Sequence, residues 1–423
     1  MTQALSTPIS KRIPRSRPTQ AVILAGGEGT RLRPITYTRP KPMVEFHGKP
    51  FLEYIVEMLR DQGFRKILFL LGYLPQVIQS HFGDGSRWGV DIDYSISKVE
   101  DLTARRVELA AHRLDPCFLL LYCDNYWPMR FEPMWKMFLQ SGARGLVTVY
   151  RNRDQYSRDS VRVGSDGFVE VFDRSRTSPG LKGVEISYAI LDRSVIGFLP
   201  RENQLFEESV YPALTARREL VAFETDHRYY SVGSLERLPL TESFLARRAT
   251  VILDRDGVLN RKPPKARYVR RWEDFQWLPG ALESLRLLRE NGYRVIVVTN
   301  QAGVARGEMT EQDLLDIHRR MCLEVRSAGG DIEAVYYCPH GWDEGCECRK
   351  PKPGMLFRAQ RDFHLDLTRT LFIGDDERDA EAGHAAGCRT ILVTPDRSLL
   401  QVVGDLLQQN RRGWSRWEQA SAY

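Results

Sequence analysis

Short apolar runs alternate with helical patterns through the first half of the chain. Residues 51–62 show the periodicity of an amphipathic helix, and the apolar runs lie at 22–24, 67–71, 118–122 and 145–149. Runs of this length, bounded by glycine or charged residues, are typical of strands buried on both faces of a sheet. The pattern predicts an α/β domain built on parallel strands.

The same alternation begins again at residue 251. Residues 281–291 form a second amphipathic pattern that stops at Gly292, and further apolar runs lie at 251–253, 295–298, 370–373 and 390–393. A chain of 423 residues also exceeds one comfortable hydrophobic core. We predict two α/β domains, at 20–246 and 250–397.

The two ends of the chain show neither pattern. Residues 1–19 are rich in Ser, Thr, Pro and Arg without an apolar stretch, which predicts a disordered leader. Residues 398–423 are assigned to a C-terminal tail. Trp414 and Trp417 lie there among arginines, so either a frayed tail or a partner-binding helix fits this segment.

Composition and charge limit the classes of molecule that the protein is expected to bind. The net charge of +6 is modest and its Lys and Arg residues are spread along the chain, so we expect no nucleic-acid partner. No apolar run approaches the roughly 20 residues of a membrane span, so we expect no membrane partner. Cys117, Cys123, Cys322 and Cys388 lie in or near apolar runs, which favours free thiols and a cytoplasmic location. The oligomeric state stays open.

One segment combines three thiols and an imidazole with a basic pair. Cys338, His340, Cys346 and Cys348 directly precede Arg349 and Lys350. Four such donors suit tetrahedral Zn²⁺ in a closed structural site, with no position left for a reacting water. The alternative is that the cysteines are incidental thiols and that the segment is an ordinary turn. We predict a zinc-bound loop beside a phosphate site.

Acidic and polar residues follow the predicted strands of the second domain. Asp254 and Asp256 come after the strand at 251–253, Thr299 and Asn300 end the next strand, and Asp375 follows the strand at 370–373. Ligand sites in open α/β sheets form at these strand ends. Together with Lys350, this ordered set resembles the haloacid dehalogenase superfamily of phosphatases.

The resemblance implies a role for each of these residues. Asp254 would attack phosphorus, and Asp256 would protonate the leaving oxygen and later activate water. Thr299, Asn300 and Lys350 would bind the phosphate. Mg²⁺ would be held by the Asp254 side chain, the Asp256 backbone carbonyl and Asp375. Asp379 would stand behind these ligands, and Asp376 takes a place where close relatives often carry Lys or Arg.

The Cys/His loop narrows the resemblance further. The Cys/His loop lies directly before residues 349–354. This arrangement, together with the sequence of residues 299–307, resembles the pattern of the D,D-heptose 1,7-bisphosphate phosphatases and their relatives, the histidinol-phosphate phosphatases. Arg306 and Arg349 are candidates for holding a second phosphate, because a guanidinium can bind phosphate at two points. The alternative is that both are ordinary surface arginines.

A glycine-rich turn follows the first strand of the N-terminal domain. Glycines allow backbone N–H groups to approach a triphosphate, and two cations lie beyond them. This glycine-rich segment with its two cations resembles the sugar nucleotidyltransferases. The resemblance implies a mixed, Rossmann-like sheet, an NTP as a partner and Mg²⁺ at Asp124. The implied nucleotide-binding residues are Gly26, Gly27, Gly29, Thr30, Arg31 and Lys41.

Three segments depart from the nucleotidyltransferase pattern. Residues 102–105 replace a Gly-Thr-x-Gly stretch near the base, Ser231 replaces a second metal-binding Asp, and Arg174 stands where a sugar-phosphate Lys is usual. Loss of a metal-binding carboxylate removes much of the charge neutralisation at a transferring phosphoryl group.

The leading hypothesis is a Mg²⁺-dependent phosphatase acting on the 7-phosphate of a D-glycero-D-manno-heptose 1,7-bisphosphate. Its N-terminal domain would then transfer a nucleotidyl group to the heptose 1-phosphate. The alternative is a histidinol-phosphate or other sugar-phosphate phosphatase whose N-terminal domain binds a nucleotide or sugar without catalysis.

Overall fold

The computed structural model describes residues 16–264 and 266–411. Residues 1–15 of the predicted leader, and 412–423 of the predicted tail with Trp414 and Trp417, lie outside the described residues. No helix within the described ranges is both long enough and apolar enough to span a membrane.

The chain divides into two compact units. Among the described residues, the N-terminal unit comprises 16–44, 50–125 and 131–225, and the C-terminal unit comprises 45–49, 126–130 and the chain from 226 to 411. Residues 226–246, which we assigned to the first domain from the sequence, therefore cluster with the C-terminal unit.

Twelve strands and five helices precede residue 226 in the described part of the chain. The strands are β1 (Gln20–Ala25), β2 (Glu45–Phe46), β3 (Lys49–Pro50), β4 (Lys66–Leu71), β5 (Asp91–Ile96), β6 (Cys117–Tyr122), β7 (Asn125–Tyr126), β8 (Gly145–Tyr150), β9 (Val161–Val163), β10 (Val169–Phe172), β11 (Val184–Asp192) and β12 (Leu220–Thr225). The helices are α1 (Phe51–Asp61), α2 (Pro75–Phe82), α3 (Thr103–Leu109), α4 (Phe131–Ser141) and α5 (Phe206–Ala216).

The N-terminal unit is built on a seven-stranded sheet in the order β12-β8-β11-β6-β1-β4-β5. β1 pairs in parallel with both β4 and β6, which follow it on opposite sides. The strand order therefore reverses beside β1, where open α/β sheets form ligand crevices. β11 runs antiparallel between β6 and β8, so the sheet is mixed. The apolar runs identified from the sequence lie in β1, β4, β6 and β8, as predicted.

The C-terminal unit contains six further strands or short strands and six helices. They are β13 (Tyr230–Ser231), α6 (Leu238–Leu245), β14 (Thr250–Leu253), α7 (Ala281–Glu290), β15 (Arg294–Asn300), α8 (Glu311–Ser327), β16 (Ala334–Cys338), α9 (Gly354–Phe363), β17 (Leu371–Gly374), α10 (Glu377–Ala386), β18 (Arg389–Leu392) and α11 (Leu399–Arg411). Its five-stranded sheet is parallel throughout, in the order β16-β15-β14-β17-β18.

Alternate residues of each central strand enter two different cores. Val251 and Leu253 of β14 pack on the face that carries α7 and α8, whereas Ile252 packs on the face that carries α9. This alternation follows from the two-residue period of a strand. Both faces are covered, and the predicted two-domain α/β fold class is confirmed.

Helix α11 packs on the first of these cores. Val402, Val403, Leu406 and Leu407 are buried with α7, and their spacing of three and four residues is that of an amphipathic helix. Helix α11, which lies in the segment assigned from the sequence to a tail, thus contributes one face to the hydrophobic core of the C-terminal unit.

Candidate active site

Asp254 lies directly after β14, the central strand of the parallel sheet. Its carboxylate Oδ1 is 2.8 Å from Nζ of Lys350, and the same Nζ is 2.7 Å from Oδ1 of Asp379. All three side chains are buried. Burial raises the pKa of Asp254, with a contribution from Asp379 and Asp256, and Lys350 opposes the shift. An excess of negative charge is therefore gathered at this strand end.

Asp256 is held by three side-chain donors. Arg255 donates through Nη2 at 3.0 Å to each carboxylate oxygen, and the amides of Asn260 and Gln301 donate at 2.9 and 2.8 Å. Burial would raise the pKa of Asp256, but Arg255 and the two amides outweigh it and hold the pKa below its usual value. Asp256 is ionised in the protein as it stands.

Arg255, the residue between the two aspartates, is fully buried. Its Nη1 donates to Nε2 of His318 on α8 at 3.1 Å. Because a guanidinium can only donate, Nε2 must accept, and the proton of the neutral ring lies on Nδ1. Burial, together with Arg255, lowers the pKa of His318 to about 3. His318 therefore anchors Arg255 as a neutral acceptor.

The end of β15 contributes Thr299, Asn300 and Gln301. Thr299 Oγ1 accepts from Gln301 Nε2 at 2.8 Å. The amide group of Asn300 bonds the backbone of Lys350 in both directions, at 3.0 Å each. Asn300 lines the cavity, and its amide fixes the peptide that carries the buried lysine.

Asp379 orders the loop after β17. As the third residue of α10, it accepts at Oδ2 from the backbone N–H groups of Asp375 and Asp376, in a capping box. Asp375 and Asp376 also contact Nζ of Lys262 at 2.8 and 3.2 Å. Arg378 also donates to the Asp376 carboxylate. Asp376 is therefore paired with two cations, Lys262 and Arg378.

Gly257 allows the two acidic loops to approach each other. Its φ is +95°, and a Cβ built there would lie 2.2 Å from Oδ2 of Asp375. No other residue type fits this position without moving the carboxylate.

The carboxylates fit a divalent cation. Asp254, Asp375 and Asp379 each offer an oxygen, and these oxygens lie within 4.8 Å of one another. Hard oxygen donors of this kind are the ligands that Mg²⁺ takes. Asp375 is part of this group, and its pKa is raised by burial although Lys262 opposes the shift.

A cavity of about 940 Å³ opens above Asp254 and Asp256. Its basic lining residues include Lys262, Arg267, Arg349, Lys350, Lys352 and Arg378. Arg306 does not line it; its guanidinium instead lies 4.6 Å from the ring centroid of Trp342. Of the two arginines singled out from the sequence, the structure places Arg349 at the cavity and Arg306 outside it.

The three thiols and the imidazole converge as the spacing predicted. His340 Nδ1 is 3.5 Å from Sγ of Cys338 and 3.2 Å from Sγ of Cys348, and Cys346 Sγ is 3.6 Å from each of the other two sulfurs. Zn–S and Zn–N bonds of about 2.3 and 2.0 Å in a tetrahedron give edges of roughly 3.8 and 3.5 Å. The cluster can hold a metal ion, and its dimensions suit zinc.

The glycine-rich turn of the N-terminal unit also carries an ion pair. Lys41 Nζ is 2.5 Å from Oδ2 of Asp124, which follows β6. Burial would raise the pKa of Asp124, but Lys41 and Arg31 outweigh it and hold the pKa below its usual value. Gly29 has a φ of +65°, and a Cβ there would meet the Lys41 side chain at 2.9 Å. Lys41 and Asp124 are thus brought together beside Gly29 of the glycine-rich turn, which also contains Gly26, Gly27 and Thr30.

The segment 102–105 forms the start of α3. Arg105 is exposed and pairs with Glu108 at 2.5 Å. The next residue, Arg106, is buried and donates to the carbonyl oxygens of Gly26 and Leu71. The residue that enters the glycine-rich turn is therefore Arg106, which the sequence pattern did not indicate.

The other two residues that depart from the nucleotidyltransferase pattern, Arg174 and Ser231, also have partners within the protein. Arg174 lies 3.4 Å from Glu207 and 3.1 Å from Glu208, both on α5. Ser231 is buried on β13, and its carbonyl accepts from Thr241 Oγ1 at 2.8 Å.

Sequence reasoning missed several residues of the C-terminal site. Arg255 and Gln301 hold Asp256, whereas Lys262, Arg267 and Arg378 line the cavity. Only the position of Arg255, inside the Asp-x-Asp motif, gave a signal. The others lie at ordinary loop positions, and only the fold brings them to the site.

Three family models match the chain. One described as Nucleotidyl transferase matches residues 20–172. Models described as Haloacid dehalogenase-like hydrolase and HAD-hydrolase-like match residues 251–316 and 347–401.

Characterised relatives match the C-terminal part. The D-glycero-beta-D-manno-heptose-1,7-bisphosphate 7-phosphatase of Pseudomonas putida is 41% identical over 143 residues, covering 34% of this chain and 81% of the relative. The D-glycero-alpha-D-manno-heptose-1,7-bisphosphate 7-phosphatase of Campylobacter jejuni is 38% identical over 159 residues, covering 38% and 88%.

Solved structures match both parts. The D,D-heptose 1.7-bisphosphate phosphatase from B. bronchiseptica, complexed with magnesium and phosphate, is 35% identical, with a TM-score of 0.36 and coverage of 38% of this chain and 99% of that chain. HddC from Yersinia pseudotuberculosis is 24% identical, with a TM-score of 0.45 and coverage of 52% and 97%.

The sequence matches place the C-terminal part of the chain in one family. Since it covers 81% and 88% of two relatives at 41% and 38% identity, the chain belongs to the haloacid dehalogenase-like D,D-heptose 1,7-bisphosphate phosphatase family, here with a nucleotidyl transferase domain on its N-terminal side.

Proposed function

We propose that this phosphatase removes the 7-phosphate of D-glycero-D-manno-heptose 1,7-bisphosphate. The observation that supports the proposal is a cavity whose lining combines the buried Asp254 and Lys350 with two further arginines. Asp254 and Lys350 lie at its base, and Arg267 and Arg349 line the same cavity. Among the described residues, neither arginine has a carboxylate partner. A second phosphate on the substrate would supply the missing negative charge.

This arrangement also discriminates against the alternative substrate. Histidinol phosphate carries an ammonium group where a sugar bisphosphate carries a second phosphate. Two guanidinium groups without carboxylate partners would repel that ammonium. The charge of the cavity lining therefore favours a bisphosphate.

In the proposed reaction, Asp254 attacks phosphorus and the bond between phosphorus and the sugar oxygen breaks. Asp256 gives its proton to the departing oxygen, and an aspartyl phosphate remains on Asp254. Asp256 then takes a proton from water, which attacks phosphorus and releases inorganic phosphate. Lys350 and Thr299 bind the phosphate oxygens. The sum of the two steps is hydrolysis of one phosphate ester bond.

Asp256 must gain a proton before it can act as the acid. In the protein alone, Arg255 holds it ionised. A phosphate dianion bound at Asp254 would raise the pKa of Asp256, because like charges disfavour ionisation. Substrate binding thus prepares the acid, and Arg255 favours the ionised form that the second step requires.

We assign Mg²⁺ to Asp254, Asp375 and the Asp256 backbone carbonyl, and Zn²⁺ to Cys338, His340, Cys346 and Cys348. When bound, Mg²⁺ would neutralise charge on the transferring phosphoryl group. Zinc would fix the loop that carries Arg349 and Lys350. The seven cysteines are free of disulfides, which supports the reducing, cytoplasmic setting expected from the sequence.

The substrate assignment is tested by phosphate release from the α and β anomers of the heptose bisphosphate and from histidinol phosphate. We expect turnover of a heptose bisphosphate and its loss in Asp254→Asn. A preference for histidinol phosphate would exclude the heptose assignment.

The second phosphate site has its own test. An arginine contact to phosphate is worth about 1.5–3 kcal/mol, so Arg267→Ala should raise KM for the bisphosphate by roughly 10- to 100-fold. Hydrolysis of p-nitrophenyl phosphate, which has one phosphate, should change little. Arg271→Ala is the matched control, since Arg271 is exposed, pairs with Asp274 and does not line the cavity. Equal losses with both substrates would contradict the assignment.

For the N-terminal unit, the family match to residues 20–172 supports nucleotidyl transfer to the heptose 1-phosphate as a candidate activity. Two departures of the sequence from the nucleotidyltransferase pattern, Ser231 and the segment 102–105, instead favour binding without turnover. Sugar-nucleotide formation with ATP, GTP, CTP and UTP separates the two roles. If none reacts, the transferase role is excluded.

A further inference from the structure

The glycine-rich turn of the N-terminal unit already holds a planar cationic group. The guanidinium of Arg106 is buried, with 4% of the residue exposed. Its Nη1 donates to the carbonyl of Leu71 at 2.7 Å and to Ser97 Oγ at 2.6 Å. Its Nη2 donates to the carbonyls of Gly26, Lys98 and Val99 at 3.0–3.2 Å. Both terminal nitrogens are fully used by the protein.

Two glycines make the space for this guanidinium. A Cβ built on Gly26 would lie 2.3 Å from Cζ of Arg106, and one built on Gly72 would lie 2.5 Å from both terminal nitrogens. Contacts this short require an absent side chain on both sides. Gly26 and Gly72 thus bound a narrow slot that fits a planar group.

The slot lies at the carboxyl ends of two neighbouring parallel strands. Gly26 follows β1, Gly72 follows β4, and the strand order of the sheet reverses beside β1. Nucleotides bind at such carboxyl ends, with phosphates on the glycine-rich turn and the remainder in the adjoining crevice. Beside this turn, Lys41 and Arg31 are the cations that would bind the phosphates of a nucleotide. A slot one strand away is where the flat part of the same nucleotide would lie.

The guanidinium does not present itself to an anion. Its hydrogen-bond partners are four carbonyl oxygens and one hydroxyl. The carboxylate of Asp101 interacts with it electrostatically but does not accept a hydrogen bond from it. Because its terminal N–H groups are already bonded, it fills the slot without offering a new contact to phosphate.

We propose that Arg106 occupies the nucleobase position of the N-terminal unit and excludes a base from it. The unit then cannot select an NTP by its base. Transfer specific for one nucleotide would need Arg106 to leave. This inference concerns the N-terminal unit and rests on the proposed binding of a nucleotide at its glycine-rich turn; it does not depend on the heptose assignment.

The first experiment uses the full-length wild-type protein. Calorimetry with ATP, GTP, CTP, UTP and inorganic tripolyphosphate, each with Mg²⁺, compares ligands with and without a base. Each titration is repeated on Arg31→Ala, so that the difference isolates binding at the glycine-rich turn. We expect no NTP to bind there more than threefold tighter than tripolyphosphate. An NTP that binds tenfold tighter would overturn the proposal.

The second experiment opens the slot. Arg106→Ala should allow at least one NTP to bind tenfold or more tighter than it binds wild type, without tighter binding of tripolyphosphate. Arg105→Ala is the matched control, because its neighbouring side chain is exposed and bonds Glu108. It should leave every affinity unchanged.

Loss of five hydrogen bonds could unfold Arg106→Ala, so the thermal transition of each variant is measured first. Arg106→Gln retains part of the polar contact and serves as the second variant. A folded Arg106 variant that gains no NTP affinity would overturn the proposal. If neither variant folds, the wild-type comparison with tripolyphosphate decides it.

Discussion

Replacing Lys350 by methionine would remove the cation that separates two buried carboxylates. Nζ of Lys350 lies 2.8 Å from Asp254 and 2.7 Å from Asp379. Methionine keeps a stem of similar length, so the hydrophobic contacts of the side chain change little. The perturbation is therefore mainly electrostatic.

The size of the effect follows from burial. Breaking a buried ion pair by removing one partner costs about 3–5 kcal/mol, because the remaining charge stays uncompensated. Here two carboxylates lose the same partner. A domain is stable by only about 5–15 kcal/mol, so Lys350→Met should remove a large fraction of the stability of the C-terminal unit.

The loss should depend on pH in a definite direction. Burial already raises the pKa of Asp254 in the wild type, and Lys350 opposes that shift; without Lys350 the folded-state pKa of Asp254 rises further above its unfolded value. Such groups bind protons more tightly when folded, so protonation stabilises the folded state. The deficit should be largest near pH 8 and should shrink as the pH falls toward 5.

Urea unfolding of the full-length protein at several pH values, without added Mg²⁺, measures this. Lys352→Met is the matched control: its side chain is 44% exposed and its partner is the exposed Glu347 at 3.0 Å. It should cost about 0.5 kcal/mol or less at every pH. Equal stability of the two variants, or a Lys350→Met deficit independent of pH, would refute the reasoning.

Two further predictions concern the metal sites. Cys348→Ser should lower bound zinc well below one atom per chain, measured by elemental analysis, whereas Asp254→Asn should retain it; zinc lost from both would mean that the two sites are not separate. Gly257→Ala should raise the Mg²⁺ concentration needed for half-maximal activity by tenfold or more, because the new Cβ would lie 2.2 Å from Asp375. Gly292→Ala, also at positive φ (+77°) but with nothing within 4 Å, controls for backbone strain and should leave that concentration unchanged.

The strands and their chemistry could be read from the sequence because both obey short-range rules. Apolar runs predicted β14, β15 and β17, and parallel strands bring their carboxyl ends to one edge. Asp254, Thr299 and Asp375 are consequently neighbours although they are far apart in the chain. The Cys/His spacing likewise predicted a cluster that the fold closes.

What the sequence could not show was which charged side chains are buried. The local sequence does not show that the side chains of Arg255 and Arg106 are buried. In the structure, each fills a space between residues that are distant in sequence. The guanidinium of Arg306, whose motif position suggested a phosphate contact, lies 4.6 Å from the ring centroid of Trp342, and its contact with a phosphate stays a prediction. Long-range packing decides these cases, and no local pattern records it.

Asp379 uses its two oxygens for different tasks, one for the backbone of the metal loop and one for Lys350. Helix capping and site charge at this position cannot be varied separately. An amide at 379 would turn a donor either toward the lysine or toward the backbone N–H groups, and a longer acid would move the cap. A mutational scan will therefore show position 379 as intolerant without revealing the reason. Separating the two would require a second carboxylate placed elsewhere beside Lys350.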